Sequence, residues 1–135
     1  MSDCIFCKIV EGKIPAKKVF EDEDILAFND INPARPVHVL VIPKKHITSL
    51  ATVATEDTPV LGKMLATANG IATEQGSPDG FRVIINTGRV GNQEVPHLHI
   101  HIVPRWVGDT NFIAVIGKTR IIPDGLRPLY DRLMA

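Results

Sequence analysis

Residues 95–104 read VPHLHIHIVP: His97, His99 and His101 alternate with Leu98, Ile100 and Ile102, and Pro96 and Pro104 close the two ends. In extended chain, successive side chains point to opposite faces. The run therefore predicts a strand that turns three imidazoles to one exposed side and three aliphatic side chains into a core. The chain has five histidines, and three of them fall here in strict alternation, which argues against an ordinary polar strand face. At about 3.3 Å of rise per residue, the backbones of His97 and His101 stand roughly 13 Å apart, too far for one zinc ion to take all three rings from a regular strand. Neighbouring rings can share a metal only with ligands from elsewhere. The remaining chemistry is nucleophilic or acid/base, for which neutral imidazole near pH 7 is suited.

Around this run the sequence predicts one domain over residues 1–135, with no repeat, low-complexity tract or linker. CIFCKIVEG reads as a short helix ended by Gly12, and KKVFEDEDILAFNDI as a hairpin around Glu21 to Asp24. VHVLVIP is an apolar strand closed by Pro43, with His38 near its start, and FRVIIN is a further strand. Thr58 as N-cap, Pro59 in the first turn, and Leu61, Met64, Leu65, Ala68, Ile71 and Ala72 at helical spacing predict one long helix that stops at Gly76. With hairpins outnumbering strand-helix-strand units, the expected class is α+β: a mainly antiparallel five-stranded sheet with helices on one face. After the histidine run, NFIAVI reads as a strand, and Leu126, Leu129, Tyr130 and Leu133 as a short terminal helix.

Composition narrows the partners. Fifteen basic residues balance fifteen acidic ones, so no overall field exists to hold nucleic acid or an anionic membrane. No apolar run approaches membrane-spanning length, and the start of the chain lacks the basic and apolar regions of a leader, so a cytoplasmic protein is expected. The two cysteines, Cys4 and Cys7, form C-x-x-C, which alone is ambiguous between zinc ligation, redox chemistry and small buried residues.

The pattern His-h-His-h-His-h-h, with h hydrophobic, resembles the signature of the histidine triad (HIT) nucleotide-binding family. IFCKIVEGKIPAKKVFEDEDILAFNDINP and HVLVIPKKHI resemble the N-terminal half of its Hint branch, and VIINTG the strand before the triad; the likeness spans nearly all of residues 4–103. The resemblance implies a HIT-like fold and a nucleotidyl hydrolase or transferase acting on AMP or GMP conjugates, AMP phosphoramidates above all. His99 would be the nucleophile that forms a nucleotidyl-histidine, His101 would bond the phosphate or departing group, and His38 would be the fourth histidine beside the triad. Backbone N–H groups from Gly91 to Glu94, with Asn92 and Gln93 between them, would hold phosphate oxygens. Asp30 would accept the ribose hydroxyls, Phe28, Asn29 and Ile31 would lie near the base, Ile9 would cover it, and Asn86 would touch phosphate or ribose. Glu94 departs from the Hint pattern, which carries a small hydroxyl residue there, and a carboxylate repels phosphate.

The resemblance further implies a structural zinc on Cys4, Cys7, His46 and His97, with no catalytic metal required, and a homodimer built on the long helix and an edge strand. PRWVGDTNF, residues 104–112, is instead closer to the branches that act on diadenosine polyphosphates, which makes Arg105 a candidate phosphate contact. A dinucleoside polyphosphate hydrolase or phosphorylase, a non-catalytic nucleotide-binding module and a triad-based metallohydrolase are the competing readings.

Overall fold

The computed structural model describes residues 3–30, 38–77 and 79–105. Ile31, the loop through Val37, Trp106 and the tail strand and helix expected beyond it lie outside the described residues. Helix α1 (Ile5–Val10) is followed by strands β1 (Lys18–Glu21), β2 (Ile25–Asn29) and β3 (Val39–Pro43), helix α2 (Thr58–Glu74), and strands β4 (Phe81–Ile84) and β5 (Ile100–Pro104). The strands form one sheet in the order β1-β2-β3-β5-β4, with every neighbouring pair antiparallel. The α+β class and the five strands agree with expectation.

Both helices stop by the same device. In α1, Gly12 (φ +80°) lets its own N–H reach Ile9 O and the Lys13 N–H reach Lys8 O; in α2, Gly76 (φ +93°) does the same with Thr73 O, and Ser77 with Ala72 O. A left-handed glycine thus closes each last turn and satisfies its open carbonyls. The start of α2 differs from expectation: the cap is Asp57 rather than Thr58, with no side-chain capping bond. The Asp57 carboxylate is already engaged, accepting from the Ala54 N–H at 2.9 Å and from Lys45 Nζ at 2.7 Å.

The sheet alternates as pleating requires. Ile25, Ala27, Val39, Val41, Leu98, Ile100 and Ile102 pack with Met64, Ala68, Ile71 and Ala72 of α2 on one face. Leu26, Phe28, Leu40 and Ile42 pack with Cys4, Phe6, Cys7 and Ile9 on the other. The helices therefore flank the sheet on both faces rather than one. The imidazole face is correspondingly not exposed: under α1, His97, His99 and His101 retain 0%, 5% and 8% of their accessible surface. Leu65, at helical spacing with the α2 core residues, is the exception to that stripe and is exposed.

The histidine run also enters the sheet later than its alternation suggests. β5 begins at Ile100 and pairs with β3 only as far as Val41, so His97 and His99 precede the strand. The next ladder partners would be Ile42 and Pro43, and a proline has no N–H to donate. Leu98 N–H instead bonds Ile47 O at 2.6 Å. The alternation of faces survives because Leu98 is still held on the α2 side.

Candidate active site and cysteine-histidine cluster

The three rings divide between two sites. His97 Nε2 donates to Pro43 O at 2.8 Å, which leaves Nδ1 as the lone-pair nitrogen, 3.3 Å from Cys4 Sγ and 3.6 Å from Cys7 Sγ. His46 Nδ1 lies 3.2 Å from Cys7 Sγ, and one donor atom from each of the four residues falls within 4.8 Å of all the others. Bond lengths of about 2.3 Å to sulfur and 2.0 Å to nitrogen put neighbouring S and N donors of a tetrahedral zinc roughly 3.5 Å apart, so the cluster has the dimensions of such a site. Its chemistry agrees: burial, with Cys4 beside it, pushes the Cys7 thiol up to about 11, and a cation between the two sulfurs is what lets both ionise. The Pro43 carbonyl fixes the His97 tautomer that a metal requires.

His99 and His101 face a cavity of about 210 Å³. Its wall combines apolar side chains, Ile5, Phe6, Ile9, Phe28, Leu40 and Val95, with polar ones, Asp30, Asn86, Asn92, Glu94, His99 and His101. The His99 Nδ1–H donates to His97 O at 2.7 Å, so Nε2 holds the lone pair, and the edge of Phe6 stands against the ring at 5.1 Å. Burial holds His99 below the ordinary histidine range, against the opposing pull of Asp30 and Glu94. His101, buried and flanked by His99 and His38, is pushed down to about 3. His38 is also lowered, by burial, with Asp30 opposing. At neutral pH these rings are uncharged.

Behind the cavity wall, His101 Nδ1 lies 2.9 Å from His38 Nε2, and His38 Nδ1 lies 3.5 Å from Asp30 Oδ2. The β2–β3 ladder creates this line: Asn29 pairs with Val39, and the Asp30 N–H continues to His38 O at 2.9 Å. Two buried polar atoms have no hydrogen-bond partner among the described residues, His101 Nε2 and Asn92 Nδ2. Both belong to residues that line the cavity, as expected of a wall built to meet a polar ligand.

The loop before the histidines is held by Gln93. Its side chain accepts from the Gly88 N–H at 3.0 Å and donates to Thr48 O and Val95 O at 2.8 and 2.9 Å. That leaves Gln93 a clamp rather than a wall residue. Asn92 beside it adopts a left-handed φ of 66°. Of the other residues singled out from sequence, Ile9, Phe28, Asp30, Asn86, Asn92 and Glu94 line the cavity, whereas Asn29 and His38 do not. Arg105 does not line it either: its N–H pairs with Gly80 O, four residues beyond His101 along β5. Ile5, Phe6, Leu40 and Val95 went unrecognised, although Ile5, with Ile9 four residues on, forms a helical face that was legible in the sequence.

This arrangement is that of a triad protein, with buried imidazoles lining a cavity of apolar and polar side chains. The comparisons agree. Residues 3–108 match the family described as scavenger mRNA decapping enzyme C-term binding. Protein HitA of Neisseria gonorrhoeae is 54% identical over 103 residues, covering 76% of this chain and 96% of that protein. A HIT family hydrolase from Legionella pneumophila Philadelphia 1 superposes with a TM-score of 0.74 at 43% identity, covering 80% of this chain and 95% of that one. A Zn-bound histidine triad family protein from Mycobacterium smegmatis gives a TM-score of 0.71 at 37% identity, covering 80% and 78%. The chain belongs to the histidine triad (HIT) family.

Proposed function

We propose that the protein is a nucleotidyl hydrolase or transferase that cleaves AMP phosphoramidates, or the corresponding GMP conjugates, through a nucleotidyl-His99 intermediate. The observation that carries this reading is the His99 ring: its Nδ1–H is committed to His97 O, and the ring lines a cavity walled by both apolar and polar side chains. The base lies in the apolar slot between Ile9 and Phe28, Asp30 receives the ribose hydroxyls, and the Asn92 amide N–H and nearby loop N–H groups hold phosphate oxygens. His99 Nε2 attacks the α-phosphorus, the bond to the departing amine breaks, and the amine takes its proton from water at the cavity mouth. Water then cleaves the new P–N bond, releasing AMP and restoring neutral His99.

Zinc on Cys4, Cys7, His46 and His97 would have a structural part. Those four residues would hold it in a closed site, and it would tie α1 to the segment that carries His99. The active protein is a cytoplasmic homodimer that joins through α2 and an edge strand, and its chemistry needs no catalytic metal.

Mass spectrometry of protein mixed briefly with an AMP phosphoramidate and quenched in base tests the reading. An added AMP on His99, absent from His99→Gly, is the expected result. Turnover by His99→Gly at near wild-type rate would exclude the covalent route.

A further inference from the structure

The sequence offers backbone N–H groups from Gly91 to Glu94 as phosphate holders, but the loop uses some of them itself. The Asn92 N–H donates to Arg89 O at 3.1 Å and the Gln93 N–H to Gly88 O at 3.0 Å, so both are committed within the loop. A phosphate contact from Asn92 therefore has to come from its side chain. Asn92 Nδ2 is buried and has no hydrogen-bond partner among the described residues, and Asn92 lines the cavity with Glu94, His99 and His101. Asn86, on the same wall, has no such enclosed and unpaired atom. A buried N–H that bonds nothing destabilises the empty pocket, and an acceptor on a ligand removes that cost.

The backbone points the same way. Asn92 holds a φ of 66°, a region that glycine enters without steric strain and that asparagine tolerates better than most residues. Glycine would serve the conformation at least as well, so what asparagine adds is a primary amide. The carboxylates of Asp30 and Glu94 line the cavity, and a carboxylate accepts hydrogen bonds and has none to give a phosphate oxygen. Their negative charge also favours the N–H end of the amide, rather than its oxygen, on the cavity side. No lysine or arginine lines the cavity among the described residues, so a phosphoryl group bound there is met by neutral donors.

We infer that the Asn92 side chain, rather than its backbone N–H, gives the hydrogen bond from this loop position to a non-bridging oxygen of the α-phosphate, and that it does so in both half-reactions. The kinetic part rests on the proposed nucleotidyl-histidine; the binding part needs only a phosphate in the cavity. As His99 Nε2, and later water, bonds phosphorus, charge on the non-bridging oxygens is what a fixed N–H donor stabilises. Asn92 keeps its protons throughout. The Gln93 clamp fixes the next residue of the loop, which holds the amide in place before the substrate arrives.

Asn92→Gly keeps the left-handed backbone and deletes the donor, whereas Asn92→Asp keeps the shape and replaces the donor with a charged acceptor. Calorimetry with AMP and with adenosine, which lacks the phosphate, separates a lost donor from a displaced wall. AMP should bind Asn92→Gly about tenfold more weakly, and Asn92→Asp more weakly still, with adenosine affinity unchanged in both. In single turnovers of an AMP phosphoramidate, Asn92→Gly should slow adduct formation and adduct hydrolysis by about a hundredfold each. AMP affinity and both rates within about twofold of wild type in Asn92→Gly would overturn the inference, and so would an equal loss of affinity for adenosine. Failure of the wild type to form any adduct would instead overturn the proposed function, and the comparison of AMP with adenosine would still decide the donor.

Discussion

His99 is set up by a backbone carbonyl rather than by an acid. The His97 O holds the proton on Nδ1, so the opposite nitrogen carries the lone pair at every pH where the ring is neutral. His101, two residues on, is buried in the same way but has a different partner, a ring rather than a carbonyl. Single-residue tests also separate the substrate branches. Arg105 stands four residues beyond His101 and outside the cavity wall, so Arg105→Ala should leave kcat/KM for an AMP phosphoramidate within about twofold. A tenfold loss toward diadenosine tetraphosphate, on the order of 1.4 kcal/mol, together with a higher wild-type kcat/KM for that substrate, would move the assignment to the polyphosphate branch.

At the scale of elements, α1 is the unit that closes both sites. It is six residues long, too short to persist alone, and it is held by Phe6 and Ile9 against Leu26, Phe28 and Leu40 and by Cys4 and Cys7 against the histidines. If zinc ties it there, purified protein should carry about one zinc per chain. Cys4→Ser should lower metal content and Tm together, a hundredfold weaker site costing about 2.7 kcal/mol by linkage, while AMP still binds. A fully reduced, metal-free preparation with unchanged Tm would refute the tie. The loop before the triad is equally constrained: a Cβ on Gly91 would collide with the Thr87 carbonyl oxygen, backbone that cannot swing aside. Gly91→Ala should therefore displace Asn92 and lower kcat/KM by tenfold or more, about 1.4 kcal/mol, with a smaller effect on Tm than Cys4→Ser. Unchanged kinetics would show that the loop does not hold phosphate.

For the whole molecule, burying neutral imidazoles under α1 ties stability to pH. The folded chain holds His101 at about 3 against an ordinary 6.5, so between those values the unfolded chain binds the proton that the folded ring refuses. This ring's contribution to stability should thus be flat above about pH 6.5 and fall as pH drops toward 3, by at most about 1.4 kcal/mol per pH unit. Denaturant titrations across that range on chelator-treated protein, which removes any metal contribution, should give a shallower acid slope for His101→Gln. An identical slope would mean that the ring is not buried neutral.

The order of strands and helices, the two glycine stops and the two-faced histidine run were readable from the sequence because each depends on local rules: backbone sterics, period and turn chemistry. Strand order, helix placement on both faces and the burial of the imidazoles were not, because alternation says that a strand has two faces and nothing about what covers the second. The same limit applied to the sites. His97, His99 and His101 look equivalent in the sequence, and the Cys4–Cys7 pair is ambiguous by itself. Tertiary structure gave His97 to the cysteines when β3 ended at Pro43 and turned His46 toward Cys7. It set Asp30 and His38 behind His101 through the β2–β3 register, a long-range pairing that no local pattern encodes.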